Sequence, residues 1–266
     1  MKNFFIVPFV SMDELMRYQS RYKNIREAED DEDLRAKVVD FKQGDVNGDG
    51  VKDNVFLIAD RLPGEGILYR NITLLIQDGR TLKFTRVPLE NNAGYNPTLF
   101  LGRFSEGKVN QILIVIDTGG SGGTIYSYVY SFLNNEVKKL FDSDKYIEEY
   151  KYGVTYRDNF KVDVLNKTLL YKFRLDIEYK GREYLSEIYD KNGKLKEPIE
   201  GFVRPLGGLY PIDFDRDGIY ELYAVQGISG RYGADGLGYV ETVLKWDGKR
   251  FKLVRQNVAI FGAEYR

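Results

Sequence analysis

The chain has 266 residues, 43% apolar and 30% charged, enough for one large domain or two small ones around a packed core. Its 39 basic and 40 acidic residues leave a formal charge of -1, with no basic bias that would mark a nucleic-acid surface. Cys and His are both absent, which removes disulfides, thiol chemistry, His-based triads and zinc sites built on those residues; hard cations with oxygen ligands remain.

The start, MKNFFIVPFV, lacks a long apolar stretch with a small-residue cleavage site and reads as a strand, Phe4–Phe9, rather than a signal peptide. No run approaches the roughly 20 apolar residues that span a bilayer. Residues 11–39 are expected to be partly helical. Ser11 and Glu14 form a capping box, Leu15, Tyr18 and Tyr22 give a stripe at helical spacing, and a second short piece covers Glu32–Val38.

From about Val38 the period changes to two. Val55–Ala59 and Ile72–Ile76 read as strands, followed by a turn through Asp78-Gly79 and a return at Leu82–Val87. Gln111–Asp117, Tyr126–Phe132, a turn at Asn134-Asn135 and Val137–Phe141 repeat the plan. Tyr171–Tyr179, a Lys180-Gly181 turn and Arg182–Tyr189 form a third copy. Tyr220–Val225, Tyr239–Trp246, an Asp247-Gly248 turn and Arg250–Arg255 form a fourth. Asp142–Gly153 reads as a short helix or loop. Asn192–Leu209, with Pro198 and Pro205, reads as irregular.

Two acidic loops punctuate this pattern. Asp45–Asp53 (DVNGDGVKD) and Asp213–Glu221 (DFDRDGIYE) begin 168 residues apart, three times 56. A 56-residue unit suits a blade of about four strands, so the expected fold is all-β: a small β-propeller or propeller-like repeat, 1–266 as a single domain, with a short helical N-terminal segment (1–39) and β repeats from 40 to 266. A β-sandwich is the rival arrangement.

In the first loop Asp45, Asn47, Asp49 and Asp53 hold positions 1, 3, 5 and 9; in the second, Asp213, Asp215, Asp217 and Glu221. Gly50 and Gly218 stand at position 6, where a sharp turn disfavours a Cβ. Calcium takes six to eight oxygens, and side chains at alternate positions can converge on one ion, with the carbonyls of Val51 and Ile219 added at position 7. Two Ca2+ sites are therefore expected, the second tighter because it has one more carboxylate. Neither loop is an EF-hand: Phe56 and Ala224 stand at position 12, where a bidentate Glu is required. The aligned loop of the second repeat, with Arg103, Ser105, Gly107 and Gln111, is expected to be metal-free and held by side-chain hydrogen bonds.

Thr118–Thr124 (TGGSGGT) is glycine-rich but lacks the lysine and helix of a phosphate loop, and Ser121 has no His base. Gly227–Gly233 occupies a comparable place. Tyr95 within Asn91–Pro97, and Arg231, Tyr232, Asp235 and Tyr239 with Trp246, are candidate surfaces for a sugar or peptide, with simple packing as the plainer reading. No pair of carboxylates stands apart as a glycosidase acid and base.

Gly44–Asp53 and Asp213–Glu221 resemble the FG-GAP/VCBS repeats, integrin-like propellers with calcium in blade loops. Asn91–Arg103, Tyr184–Glu200 and Leu209–Glu221 resemble a narrower VCBS-repeat group from spore-forming Gram-positive bacteria. The resemblance implies the same two ligand sets and supplies no reaction. The functional expectation is a calcium-binding, non-enzymatic scaffold or protein-interaction module. The alternatives are a carbohydrate-binding or carbohydrate-active protein, and a structural subunit of a bacterial surface or spore assembly. A protein or glycan partner is expected, without nucleic acid or a membrane span, and a cytoplasmic or spore-associated place rather than a secreted one.

Overall fold

Runs of alternating and doubly apolar residues form fifteen antiparallel strands in three sheets among the residues described by the computed structural model, 37–61 and 67–262. The first sheet is a meander of β1 (Lys37–Gly44), β2 (Asp53–Asp60), β3 (Arg70–Gln77) and β4 (Phe84–Pro88). The second repeats it with β5 (Tyr95–Gly102), β6 (Gln111–Asp117), β7 (Ile125–Ser131) and β8 (Lys138–Asp142). Helix α1 (Ser143–Glu149) follows, its first turn capped by Asp142, whose Oδ1 accepts from Asp144 N at 2.9 Å. The expected N-terminal strand and most of the expected helical segment lie outside the described residues; Lys37 and Val38 are strand.

The third sheet has seven strands. β9 (Tyr152–Arg157), β10 (Lys161–Asn166) and β11 (Tyr171–Asp176) lead to helix α2 (Gly181–Ile188). β12 (Glu200–Ile212), β13 (Glu221–Ser229), β14 (Gly236–Trp246) and β15 (Phe251–Ala259) complete it, in the order β11-β10-β9-β12-β13-β14-β15. β12 serves two neighbours: Glu200 and Gly201 pair with β9, and residues from Phe202 onward pair with β13. Its register shifts at Val203/Leu206 and Leu206/Gly208, around Pro205, turn the corner between them. The sheet then curls on itself until Gln256 of β15 meets Asn166 of β10 (3.1 Å) and Tyr152 of β9 (2.9 Å). Its two end strands are not paired, so the curl stops short of a closed barrel.

The repeating propeller is thereby corrected. Among the described residues two segments make separate four-stranded sheets, and the third and fourth expected units merge through β12 into one curled sheet. Two local expectations change with it. The expected strand Arg182–Tyr189 is helix α2 up to Ile188, because Tyr184, Leu185 and Ile188 stand at helical spacing and all pack on the core inside the curl. Asn192–Leu209 is irregular only to Ile199; Pro198 lies in that irregular stretch and Pro205 at the β12 bulge.

The core explains the layering. Ile112, Ile114 and Ile116 of β6 face the first sheet, packing with Val55, Leu57, Ile72 and Leu74. Leu113 between them faces the other way, onto Leu206, Leu222, Leu244 and Phe251 of the third. A strand buried on both faces reads as an unbroken apolar run, as QILIVID does. Each of these isoleucines contributes about 1.5–3 kcal/mol by burial.

Candidate functional site

The two acidic loops and the aligned third loop occupy one topological place, joining the first and second strands of a meander: β1 to β2, β5 to β6 and β12 to β13. In each, position 9 accepts the backbone N–H of position 2. Asp53 Oδ2 accepts from Val46 N (2.9 Å), Gln111 Oε1 from Phe104 N (2.6 Å) and Glu221 Oε2 from Phe214 N (3.1 Å). Asp53, fully buried, also takes Asn47 N (3.2 Å) and Gly79 N (2.9 Å), so its oxygens are committed to the chain.

The other acidic positions are turned onto loop amides. Asp45 accepts from Gly48 N (2.6 Å) and Gly50 N (3.0 Å), and Asp213 from Asp217 N (3.1 Å) and Gly218 N (2.9 Å). Asn47 Oδ1 accepts from Asp49 N at 3.0 Å. Asp49 and Asp217 each accept the N–H of position 7, from Val51 (2.8 Å) and Ile219 (2.7 Å). Gly50 and Gly218 have φ of 83° and 80°, as the tight turn at position 6 demands.

Cations of the chain itself meet the remaining oxygens. In the first loop Arg80, from the β3–β4 turn, donates Nε to Asp49 Oδ2 (2.7 Å) and Nη2 to the Asp49 carbonyl (2.8 Å). Arg80 foremost, then the Val51 N–H, hold the Asp49 carboxyl below its usual range. In the loop 213–221, Lys245 of β14 stands 2.7 Å from Asp215 Oδ2, 3.0 Å from Glu221 Oε1 and 4.0 Å from Asp217 Oδ2. Glu221 is 2% exposed, and its Oε1 is ion-paired to Lys245 without the alignment of a hydrogen bond. Among the described residues no group of three or more acidic side chains converges as a ligand set for a metal ion. In loop 103–111, Gln111 Nε2 donates to Ser105 Oγ and Val109 O (both 3.2 Å), and Arg103 Nη1 donates to Gly107 O (3.1 Å).

A second cluster lies at the far end of the third sheet. The loop between β13 and β14 carries Arg231, Tyr232 and Asp235, as expected, but Trp246 stands at the opposite end of β14, packed on Phe251. Sequence reasoning missed the partners that structure adds: Tyr156 of β9, Tyr184 of α2 and Lys180 just before it. Asp235 is buried, with Oδ1 on Lys180 Nζ (2.9 Å) and Oδ2 on the Tyr184 hydroxyl (2.7 Å) and Arg231 N (3.0 Å). The Tyr156 and Tyr184 hydroxyls lie 2.8 Å apart. Burial would raise Asp235, but Lys180, Tyr184 and the Arg231 N–H outweigh it and hold the carboxyl low. Burial pushes both tyrosines up. These shifts lead away from neutral pH, opposite to what a proton-transfer pair needs.

Two groups of aromatic rings lie near this base, the second reaching it where Phe261 approaches Gly236. The Arg231 guanidinium lies 4.9 Å from the Tyr184 ring and 6.0 Å from that of Tyr232, which is 58% exposed. On the other side Phe261 contacts Tyr179 (6.1 Å) and Tyr239 (5.7 Å) edge-on, and both Phe261 and Tyr239 remain exposed. The glycine-rich loop and Tyr95 come together. Thr118 and Thr124 close the neck of the glycine-rich loop through their hydroxyls (2.8 Å), and the Tyr95 ring lies over Gly119.

Fold and clasped loops together describe an antiparallel β protein whose curled sheet is the recognisable part: residues 150–259 match the family model of the YybI C-terminal domain, and the chain belongs to the YybI family. The relative that establishes this is the "Uncharacterized protein YybI" of Bacillus subtilis (strain 168), 54% identical over 230 residues, which cover 86% of this chain and 87% of the relative. No solved structure matches. The likeness to FG-GAP/VCBS propellers is overturned by this membership and by the sheet order. The terms propeller, FG-GAP repeat and VCBS repeat fall with it, and calcium- and metal-binding are left without a ligand cluster among the described residues. None of the described helices is long and apolar enough to cross a membrane.

Proposed function

We propose that this chain is a non-enzymatic structural subunit of a bacterial surface or spore assembly, docking on a protein partner through the exposed aromatic rings near the Asp235 cluster. The observation that carries the reading is exposed rings beside a buried, hydrogen-bonded base. Tyr232 projects from a loop pinned by the buried Asp235, and Tyr239 and Phe261 rest on each other. Aromatic and arginine side chains held rigid at a surface lose little entropy on binding and dominate protein interfaces. The bacterial relative supports the setting. The titrating groups of the cluster support the absence of chemistry, since tyrosines move up and the aspartate down.

Site-specific photo-crosslinking in the producing cells tests the reading. A crosslinker at Tyr232 should yield discrete protein adducts, and one at the exposed Glu106 should not. Adducts at neither position, together with glycan-array binding abolished by Tyr232→Ser, would replace this reading with the carbohydrate one.

A further inference from the structure

We propose that the acidic loops carry their own counter-charge: Lys245 is a resident cation that stands where a divalent ion would in 213–221, Arg80 pairs with Asp49 in 45–53, and hairpin closure is independent of metal. Three observations converge. First, the Lys245 ammonium lies within 4.0 Å of Asp215, Asp217 and Glu221 together, so the oxygens that position-by-position reading assigns to an ion already face one positive charge. An ion of charge +2 at that place and the ammonium would repel each other strongly at contact distance. Second, position 9, which an incomplete calcium loop needs most, is spent on backbone N–H groups: Asp53 on three, Glu221 on one with its other oxygen toward Lys245. Third, loop 103–111 makes the same strand connection and the same clasp with an amide at Gln111 and no acidic residue at positions 1, 3 or 5. The connection therefore needs an acceptor at position 9, and Lys245 and Arg80 offset part of the acidic charge of the other two loops from across the hairpin.

The inference is independent of the aromatic surface and is tested on the full chain. Wild-type protein should melt at the same temperature in EDTA and in millimolar calcium, and calorimetry should register no calcium uptake. Lys245→Met should melt lower, Lys245→Arg should restore most of the loss, and Glu221→Gln added to Lys245→Met should also recover stability by converting the loop to the Gln111 type. A ligand at about a hundred times its dissociation constant shifts melting by several degrees. A shift of that size for wild type in calcium, or stoichiometric uptake, overturns the proposal, as does a Lys245→Met protein as stable as wild type. Should Lys245→Met fail to fold, the wild-type comparison decides alone.

Discussion

At position 9 of the strand-joining loops, an aspartate, a glutamine and a glutamate accept the same backbone hydrogen. Acceptor oxygen matters there more than charge, and this distinguishes two substitutions. Asp53→Ala leaves two buried N–H groups and one half-buried one unpaired and should cost about 2–4 kcal/mol in urea unfolding. Asp53→Asn keeps an acceptor and should cost clearly less. Asp235 carries a different expectation. Its folded pKa lies below the unfolded value of about 3.9, so its contribution is complete above that pH and fades as pH falls through the folded value. Wild type should lose stability below about pH 4, and Asp235→Asn should flatten that part of the profile while lowering stability at pH 7. Urea midpoints measured between about pH 3 and pH 7 would read both effects. The loops themselves were legible in the sequence, down to the alignment of Gln111 with Asp53. Their counter-charges were not, because Arg80 and Lys245 reach Asp49 and Asp215 from about 30 residues away in sequence. Tyr156, Tyr184 and Lys180 were hidden for the same reason: only the curl of the third sheet brings them to Asp235.

At the scale of elements, strands with clean turn signals were readable and those with conflicting signals were not. Val55–Ala59, Ile72–Ile76 and Gln111–Asp117 lie within β2, β3 and β6. Helix α2 follows a Lys-Gly pair that mimics a hairpin turn, and its apolar stripe is only two turns long. β12 carries Pro205, which a central strand tolerates only at an irregularity, and the bulge there is invisible in composition. The β3–β4 turn docks on loop 45–53 so closely that a Cβ on Gly79 would overlap the Lys52 carbonyl. Gly79→Ala should therefore push the turn off, break the Gly79 N–Asp53 bond and carry Arg80 away from Asp49. Its effect on unfolding should be less than additive with Arg80→Met, because both act on one contact; a double-mutant cycle measures this.

For the molecule as a whole, the family match begins at residue 150, but the core does not divide there. Phe104, Leu113, Ile125, Val129 and Phe141 of the preceding segment share one cluster with Leu206, Leu222, Leu244 and Phe251. A fragment 150–266 should expose that apolar face, bind a hydrophobic dye and self-associate in gel filtration, whereas the full chain should not. The period of 56 came from loops that do align, laid over three sheets of which the first two repeat and the third does not.

Because β6 is apolar on both faces, sliding it by a single residue would exchange one set of branched side chains for another at little hydrophobic penalty. Something other than greasiness must tell the strand where to stop. Gln111 at its first residue grips Phe104, and Asp117 at its last receives the Asn96 amide at 3.0 Å. Asp53 and Glu221 open β2 and β13 in the same manner. Residues that look like grips for a mineral ion thus act as address marks, each fixing one doubly buried ribbon against a neighbour that would accept it misaligned.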